Sequence, residues 1–314
     1  MALLLREAEV RTLITVGEAI DVLDAAFRDW AVGHADNQPR RRVAAGIVLA
    51  TMSAALPTRG ILGFKAYTAG RHGAQFRTQL FDASSGELMA ILEGDHLGRV
   101  RTGAASGLAT RYLARPDACR LTIFGAGTQA LTQVLAVASV RPLQEVRVLS
   151  RDAARRERLL TELAASGIRA IAGGDQREAV EAADIITTIT SAGSPLFPGA
   201  WLQPGQHLNI AGSNWPHRRE VDGEAVSRAG LVVADDAHAA RVEAGDLLLA
   251  EADGMLEWTR VHSLREVTAG TVTRADPHQI TLFKSVGLAL EDIAVGATVL
   301  ERARSRGIGE HVGL

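Results

Sequence analysis

The sequence predicts an α/β protein in two parts: an N-terminal α+β domain, and a parallel sheet wound with helices on both faces. Three observations carry this. From residue 120 onward, short apolar runs alternate with helical patterns: "LTIF" (121–124), "VRVL" (146–149), "IRAI" (168–171), "DIITTIT" (184–190), "HLNIA" (207–211), "LVVAD" (231–235) and "ITLFK" (280–284). Alternation of this kind builds a parallel sheet, because each crossover carries a helix. Before that point the texture differs, with one amphipathic helix and three strands in residues 15–82. The third observation is the stripe Val286, Leu290, Ile293, Ala297 and Leu300 in a last helix over 286–304. It has an apolar face to bury, and we place it against the N-terminal part. The domains are therefore expected at 1–116, completed by 286–314, and at 117–285.

The first elements follow from spacing and caps. In residues 15–33, Ile20, Leu23, Phe27 and Trp30 form one helical stripe, and Thr15 with Glu18 is a capping-box pattern. Residues 46–54, 60–68 and 74–82 read as strands. In "ILGFKAYT", Leu62, Phe64 and Ala66 alternate with Gly63, Lys65 and Tyr67, while Arg77 and Gln79 share a face of the next strand. "SSGE" turns the chain, and residues 96–114 read as a helix rich in small residues, suited to close packing. In the second part the clearest helices are 128–139 and 152–166.

Composition excludes several classes. The chain is 47% hydrophobic and 22% charged, as globular proteins are, and its net charge of −2 gives no broad hold on nucleic acid or acidic lipid. Aromatic content of 4%, without basic–aromatic interleaving, argues against a nucleic-acid platform. Cys119 is the single cysteine, so no internal disulfide forms, in keeping with a reducing compartment. "MALLLREAEV" meets charge too early for a signal core, and no apolar run approaches the roughly 20 residues of a membrane span. A cytoplasmic protein without a membrane partner is expected. No metal is expected, since the nine histidines are scattered without H-x-x-x-H or C-x-x-C pairs. "EAGD" (243–246) reads as an exposed helix start, and no G-x-S-x-G elbow supports a serine nucleophile.

"GAGTQA" (125–130) fits G-x-G-x-x-[GA] between a strand and a helix. Gly125 permits a tight turn, Gly127 lets backbone approach a pyrophosphate, and small Ala130 packs helix on strand. Thr128 and Gln129 open the helix, whose free N–H groups favour an anion. The pattern predicts a Rossmann dinucleotide-binding domain; a plain strand–helix turn is the alternative. The tip of the next strand, Ser150 followed by Arg151, suits the 2′-phosphate of NADP, whereas an acidic tip would select NAD. Asp152 reads as a helix N-cap and leaves NAD open; Arg155 and Arg156 suit a solvated face. Other polar strand ends add candidate cofactor contacts: Thr188, Thr190 and Ser191, then Gly212 and Ser213, then Ser285 and Val286.

In the first part, Lys65 sits on a strand among apolar neighbours. Burial would lower its pKa and make it a general acid or base; a lysine snorkelling from a strand edge is the alternative. Arg101 lies among Gly, Ala and Ser, where a ligand carboxylate could meet its guanidinium, or it is a surface arginine. Arg77 is a further candidate cation, for a second substrate carboxylate.

The segments "GFKAYT" (63–68), "LFDASSGELMAILEGDHLGRVRTGAAS" (80–106), "FGAGTQA" (124–130), "VRVLSRD" (146–152), "GSNWPHRREVD" (212–222), "EAGD" (243–246) and "FKSVGLALEDIAVGATVLERARSRGIG" (283–309) span nearly the whole chain. Together they resemble the ornithine cyclodeaminase/mu-crystallin family. The resemblance implies a homodimer formed through the β-rich N-terminal domain, a Rossmann domain, and a C-terminal helix returning to the first. It implies hydride exchange between a nicotinamide and an amino-acid carbon through an imine. By resemblance, Lys65 is the active-site lysine, Arg101 the arginine for the substrate carboxylate, and Thr102 a residue facing the cofactor phosphates. Arg41 resembles a second carboxylate-binding arginine, with Arg40 and Arg42 leaving the register open.

One position departs from the family. Asn214 in "GSNWP" stands where ornithine cyclodeaminase and the archaeal alanine dehydrogenase carry a catalytic aspartate. An amide takes up no proton, so ornithine cyclisation fits poorly and reduction of a preformed imine fits better. The expected activity is an NAD(P)H-dependent reductase of a small α-imino acid. Arg101 and Arg41 would hold the carboxylate, Lys65 the proton, and Asn214 would orient the imine or a water. The alternatives are a non-catalytic NADPH-dependent binding protein of mu-crystallin type, and a cyclodeaminase or alanine dehydrogenase.

Overall fold

A computed structural model describes residues 1–71 and 73–313. It forms two compact units, Met1–Ala104 with Gly287–Leu314, and Ala105–Val286. The division falls inside a helix, earlier than the 116/117 boundary read from sequence. The chain begins with β1 (Ala2–Leu5), α1 (Glu7–Leu13), α2 (Val16–Ala31), β2 (Asp36–Asn37), β3 (Arg41–Ala44), β4 (Val48–Leu56), β5 (Ile61–Gly70), β6 (Gly73–Asp82), β7 (Leu88–Glu93) and α3 (Asp95–Leu113). It continues with β8 (Arg120–Phe124), α4 (Ala130–Ala138), β9 (Glu145–Leu149), α5 (Ala153–Ala165), β10 (Ala170–Ala172), α6 (Gln176–Glu181), β11 (Ile185–Thr188) and β12 (His207–Ile210). Then come α7 (Gly223–Arg228), β13 (Leu231–Ala234), α8 (Ala237–Glu243), α9 (Gly245–Ala252), β14 (Val261–Ser263), α10 (Leu264–Thr268), β15 (Thr281–Lys284), α11 (Ala289–Arg306) and β16 (Glu310–Val312).

In the first unit the sheet order is β16-β1-β7-β6-β5-β4-β2, with β3 also on β4. Strands β4 to β7 form an antiparallel meander, and β1 joins β7 in parallel. The capping box at α2 is present, with the Thr15 N–H donating to Glu18 at 2.9 Å. Its stripe buries Ile20, Leu23 and Phe27. Helix α11 packs on α2 and on the inner face of the sheet. Gly63 permits that approach, since a Cβ there would lie 2.7 Å from Cδ1 of Ile293.

The alternation in β5 is oriented against the usual expectation. Ile61, Gly63 and Lys65 face inward, while Leu62 is 40% exposed on the outer face. The register pairs Lys65 with Met52 on one side and Thr78 on the other, both buried. Strand parity thus places a lysine, not an alkyl side chain, beneath α11.

The second unit holds an all-parallel sheet in the order β10-β9-β8-β11-β12-β15-β13-β14. The chain moves from β8 outward to β10, then returns to β11 beside β8 and continues the other way. That reversal opens a crevice at the carboxyl ends of β8 and β11, the usual ligand position in such sheets. Leu121, Ile123, Val134, Val146, Val148 and Ile185 belong to the core beneath it. Among the described residues no helix is long and apolar enough to cross a membrane.

Candidate functional site

Gly125 begins the turn after β8, and its N–H donates to the Leu149 carbonyl at 2.8 Å. Its φ is +111°, and a Cβ would come 2.5 Å from the Ile189 carbonyl oxygen, so both conformation and packing demand glycine. Gly127 is different. A Cβ there would meet no protein atom within 4 Å. Nothing in the fold requires glycine at 127; the open space beside it is room for a ligand. Helix α4 begins just beyond, and no side chain caps it. By contrast α5, α6, α7 and α8 each start under an aspartate: Asp152, Asp175, Asp222 and Asp236. An uncapped helix start at a glycine turn fits a pyrophosphate, which would accept those N–H groups.

The turn opens on a groove of ≈ 930 Å³ lined by segments 124–129, 149–152 and 189–196, with Arg155, Gln176 and Gly212. Gly125, Gly127, Thr128, Gln129, Ser150, Arg151, Thr190, Ser191 and Gly212 all line it, as the sequence suggested. Asp152 is the N-cap of α5, accepting from the Arg155 N–H at 3.0 Å, and its carboxylate also meets the Arg155 side chain at 3.1 Å. That ion pair leaves the exposed Arg151 as the cation next to Ser150.

Four expected cofactor contacts are turned elsewhere. Thr188 is fully buried and donates its hydroxyl to Glu220 at 2.8 Å. Ser213 is buried, with its carbonyl on Lys284. Ser285 and Val286 are tied to Asp235, the latter through its N–H at 2.8 Å. None of the four lines the groove, and their hydrogen bonds hold neighbouring loops instead. Asn214 is half-buried, its amide donating to the Val286 carbonyl at 3.4 Å. "EAGD" is not an exposed helix start: Glu243 and Asp246 are buried, because α9 packs beneath the loop carrying Glu220.

The first unit gathers the other candidates. Lys65 is buried, and its Nζ donates to Oδ1 of Asp292 at 2.7 Å while lying 5.1 Å above the Phe76 ring. Arg101 donates Nη1 to Glu291 at 2.7 Å, and its Nε is 3.4 Å from the same Asp292 oxygen. Glu291 and Asp292 stand in the first turn of α11, where the helix dipole favours carboxylates. Gly287 makes room for Arg101, since a Cβ there would lie only 2.6 Å from its guanidinium. Burial pushes Lys65 down to about 8; the Asp292 carboxylate pulls it up, and the charges of Arg101 and Arg40 push it down. A lysine so placed exchanges its proton near neutral pH.

Two arginines need correction. Arg41 is exposed and pairs across the ladder with Thr51, on the outer face. Arg40 is the one whose charge reaches Lys65, and it donates to the Gly287 carbonyl at 2.9 Å. Arg77 pairs with Ala66, not Lys65, so it faces outward, 3.4 Å from Glu93. Neighbouring strands do not imply neighbouring side chains, because parity decides the face. Thr102 is buried, and its hydroxyl donates to the Gly98 carbonyl at 2.7 Å.

Sequence reading missed Glu291 and Asp292. The available signal was an acid pair inside the apolar stripe of the last helix, "LALEDIAVG" (288–296), since adjacent carboxylates on a buried face require cations. It missed the buried roles of Asp246 and Lys284 for the same reason, as each is a charge beside an apolar run, while Glu220 lies in the charged stretch "HRREVD", which gives no sign of burial.

The chain is similar to several known proteins. A Δ1-pyrroline-2-carboxylate reductase of Bacillus cereus is 38% identical over 236 residues, covering 74% of this chain and 72% of that protein. The structure of the Thermococcus litoralis Δ1-pyrroline-2-carboxylate reductase, in complex with NADH and L-proline, superimposes with a TM-score of 0.94 at 32% identity, covering 99% of this chain and 100% of that one. An archaeal alanine dehydrogenase dimer with bound NAD gives a TM-score of 0.94 at 29% identity, covering 100% of this chain and 99% of the other. A family model spans residues 1–307, and the chain belongs to the ornithine cyclodeaminase/mu-crystallin family.

Proposed function

We propose that this chain is an NAD(P)H-dependent reductase that converts the C=N bond of a small cyclic α-imino acid into an L-amino acid. The observation that carries this reading is the buried Lys65, held by Asp292 at 2.7 Å with Arg101 against the same carboxylate. Similarity to Δ1-pyrroline-2-carboxylate reductases supports the choice of a cyclic imine.

The roles follow from chemistry. Arg101 and Arg40 bind the substrate carboxylate, Arg101 through a planar fork that donates two parallel hydrogen bonds. Lys65 holds the proton that the imine nitrogen takes up as the C=N carbon is reduced. Asp292 keeps the ammonium group aimed and charged. A dinucleotide held at the turn of Gly125 and Gly127 would supply the hydride. Asn214 orients the imine or a water; its amide has no proton to exchange, which favours reduction of a preformed imine over cyclodeamination. Fixing both reactants in this way removes up to roughly 7–11 kcal/mol of the barrier in favourable systems.

Ser150 and Arg151 favour NADPH over NADH, as a small hydroxyl and a guanidinium complement a 2′-phosphate. A second copy covers the outer face of the first sheet, where Val43, Ile47, Leu49 and Leu62 are exposed, and the archaeal dimer supports this homodimer. We assign the protein to the cytoplasm. The test is dinucleotide consumption with a panel of cyclic and linear α-imino acids. Consumption matching a small cyclic imine is expected. Tight NADPH binding with silence across the panel contradicts the reading and leaves a non-catalytic binding protein.

A further inference from the structure

Below the groove, the second unit contains a cluster of fully buried charged side chains that the reduction does not use: Glu220, Asp246 and Lys284. Glu220 is saturated with donors. Its Oε1 accepts from the Thr190 N–H and the Thr190 hydroxyl, each at 2.7 Å. Its Oε2 accepts from the Gly212 N–H and the Thr188 hydroxyl, each at 2.8 Å. One carboxylate therefore joins the segment after β11 to the segment after β12. Asp246 braces it from behind, its Oδ1 accepting from the Glu220 N–H at 2.6 Å and the Val221 N–H at 3.2 Å. Lys284 completes the chain, 2.7 Å from Asp246 and donating to the Ser213 carbonyl at 2.7 Å.

Thr190 and Gly212 line the dinucleotide groove; Glu220 does not. We propose that Glu220 is a positioning residue for dinucleotide binding, clamping the Thr190 and Gly212 backbones into the shape of one groove wall. This rests on the dinucleotide reading given above. The clamp requires a carboxylate, because each oxygen receives one backbone N–H. Glutamine has the same shape but one acceptor oxygen, so either orientation sets its NH₂ group against a backbone N–H. Burial and the charge of Asp246 push the Glu220 carboxyl up from its usual range, and Lys284 and the threonine hydroxyls act against them. The site thus uses its hydrogen-bond donors to keep an acceptor where the wall needs one.

The test compares wild type, Glu220→Gln and Thr188→Val by equilibrium titration with NADPH, together with steady-state kinetics. Glu220→Gln is expected to raise the NADPH dissociation constant and the KM for NADPH at least about tenfold, with the KM for the imino acid little changed. A correctly folded Glu220→Gln that binds NADPH as wild type does overturns the proposal. If that variant does not fold, Thr188→Val decides. It removes only a hydroxyl bond to Glu220 from a residue outside the groove, and a several-fold weaker NADPH affinity is expected; unchanged affinity overturns the proposal. Wild type that binds neither NADPH nor NADH overturns the dinucleotide reading itself, and the clamp with it.

Discussion

Two lysines in this molecule are almost fully buried, and each pairs with an aspartate at 2.7 Å, yet their surroundings differ. Lys284 in the second unit directs its donors to Asp246 and to the Ser213 carbonyl, both fixed parts of the fold. Lys65 in the first unit has Asp292 on one side, but also an aromatic face and the charges of Arg101 and Arg40. The first arrangement ties the side chain into the fold. The second holds a charge that is ready to leave. Burial alone does not mark a catalytic lysine; Lys65 also has its pKa lowered to about 8, by burial first and then by the charges of Arg101 and Arg40, against the pull of Asp292.

Removing each lysine in turn should separate the two cases. Lys65→Ala should lower turnover by about 10²–10⁴-fold, the usual contribution of general acid–base groups, while NADPH affinity by titration stays near wild type. Comparable turnover in that variant would remove Lys65 from the chemistry. Lys284→Met should act on stability instead. It leaves Asp246 buried without its counter-ion, which costs about 3–5 kcal/mol and appears as a lower denaturant midpoint. An unchanged midpoint would mean that Lys284 is not the tie described here.

A smaller effect separates the two glycines of the dinucleotide turn. Gly127→Ala projects a methyl group into open space, so the melting temperature should hold while the NADPH dissociation constant rises several-fold. Gly125→Ala should lower the melting temperature, because its positive φ and the Ile189 carbonyl both exclude a Cβ. Equal melting temperatures for the two variants would contradict the division of roles between them.

The elements built from local periodicity were readable in the sequence. The stripe of α2, the strand–glycine–helix unit at β8 and α4, and the alternating βα pattern all announce themselves within windows of a few turns. The candidate site was readable where it rests on one residue type in one context, as at Gly125, Gly127, Lys65 and Arg101. It was not readable where strand parity decides. One position separates Arg41 on the outer face from Arg40, which reaches Lys65, and adjacency of strands made Arg77 look closer to Lys65 than its face allows. Nor were the partners of the buried carboxylates visible, although the acid pair Glu291 and Asp292 stands out in its apolar stripe. Asp292 lies 227 residues from the lysine it holds, and no local pattern records such a pairing.

Everything proposed for the chemistry depends on Lys65, held by Asp292, serving as the acid of an imine reduction. The pH dependence of kcat/KM in wild type and Asp292→Asn decides this, because both enzymes meet the same substrate and any displaced limb belongs to the protein. A protonated lysine is present below its pKa and lost as pH rises through it, so wild-type activity should fall on the alkaline side near about 8. Asp292 raises that pKa, and its replacement by an amide should move the falling limb to lower pH. A limb that stays in place when Asp292 is replaced, or wild-type activity that is flat through this range, would rule this role out.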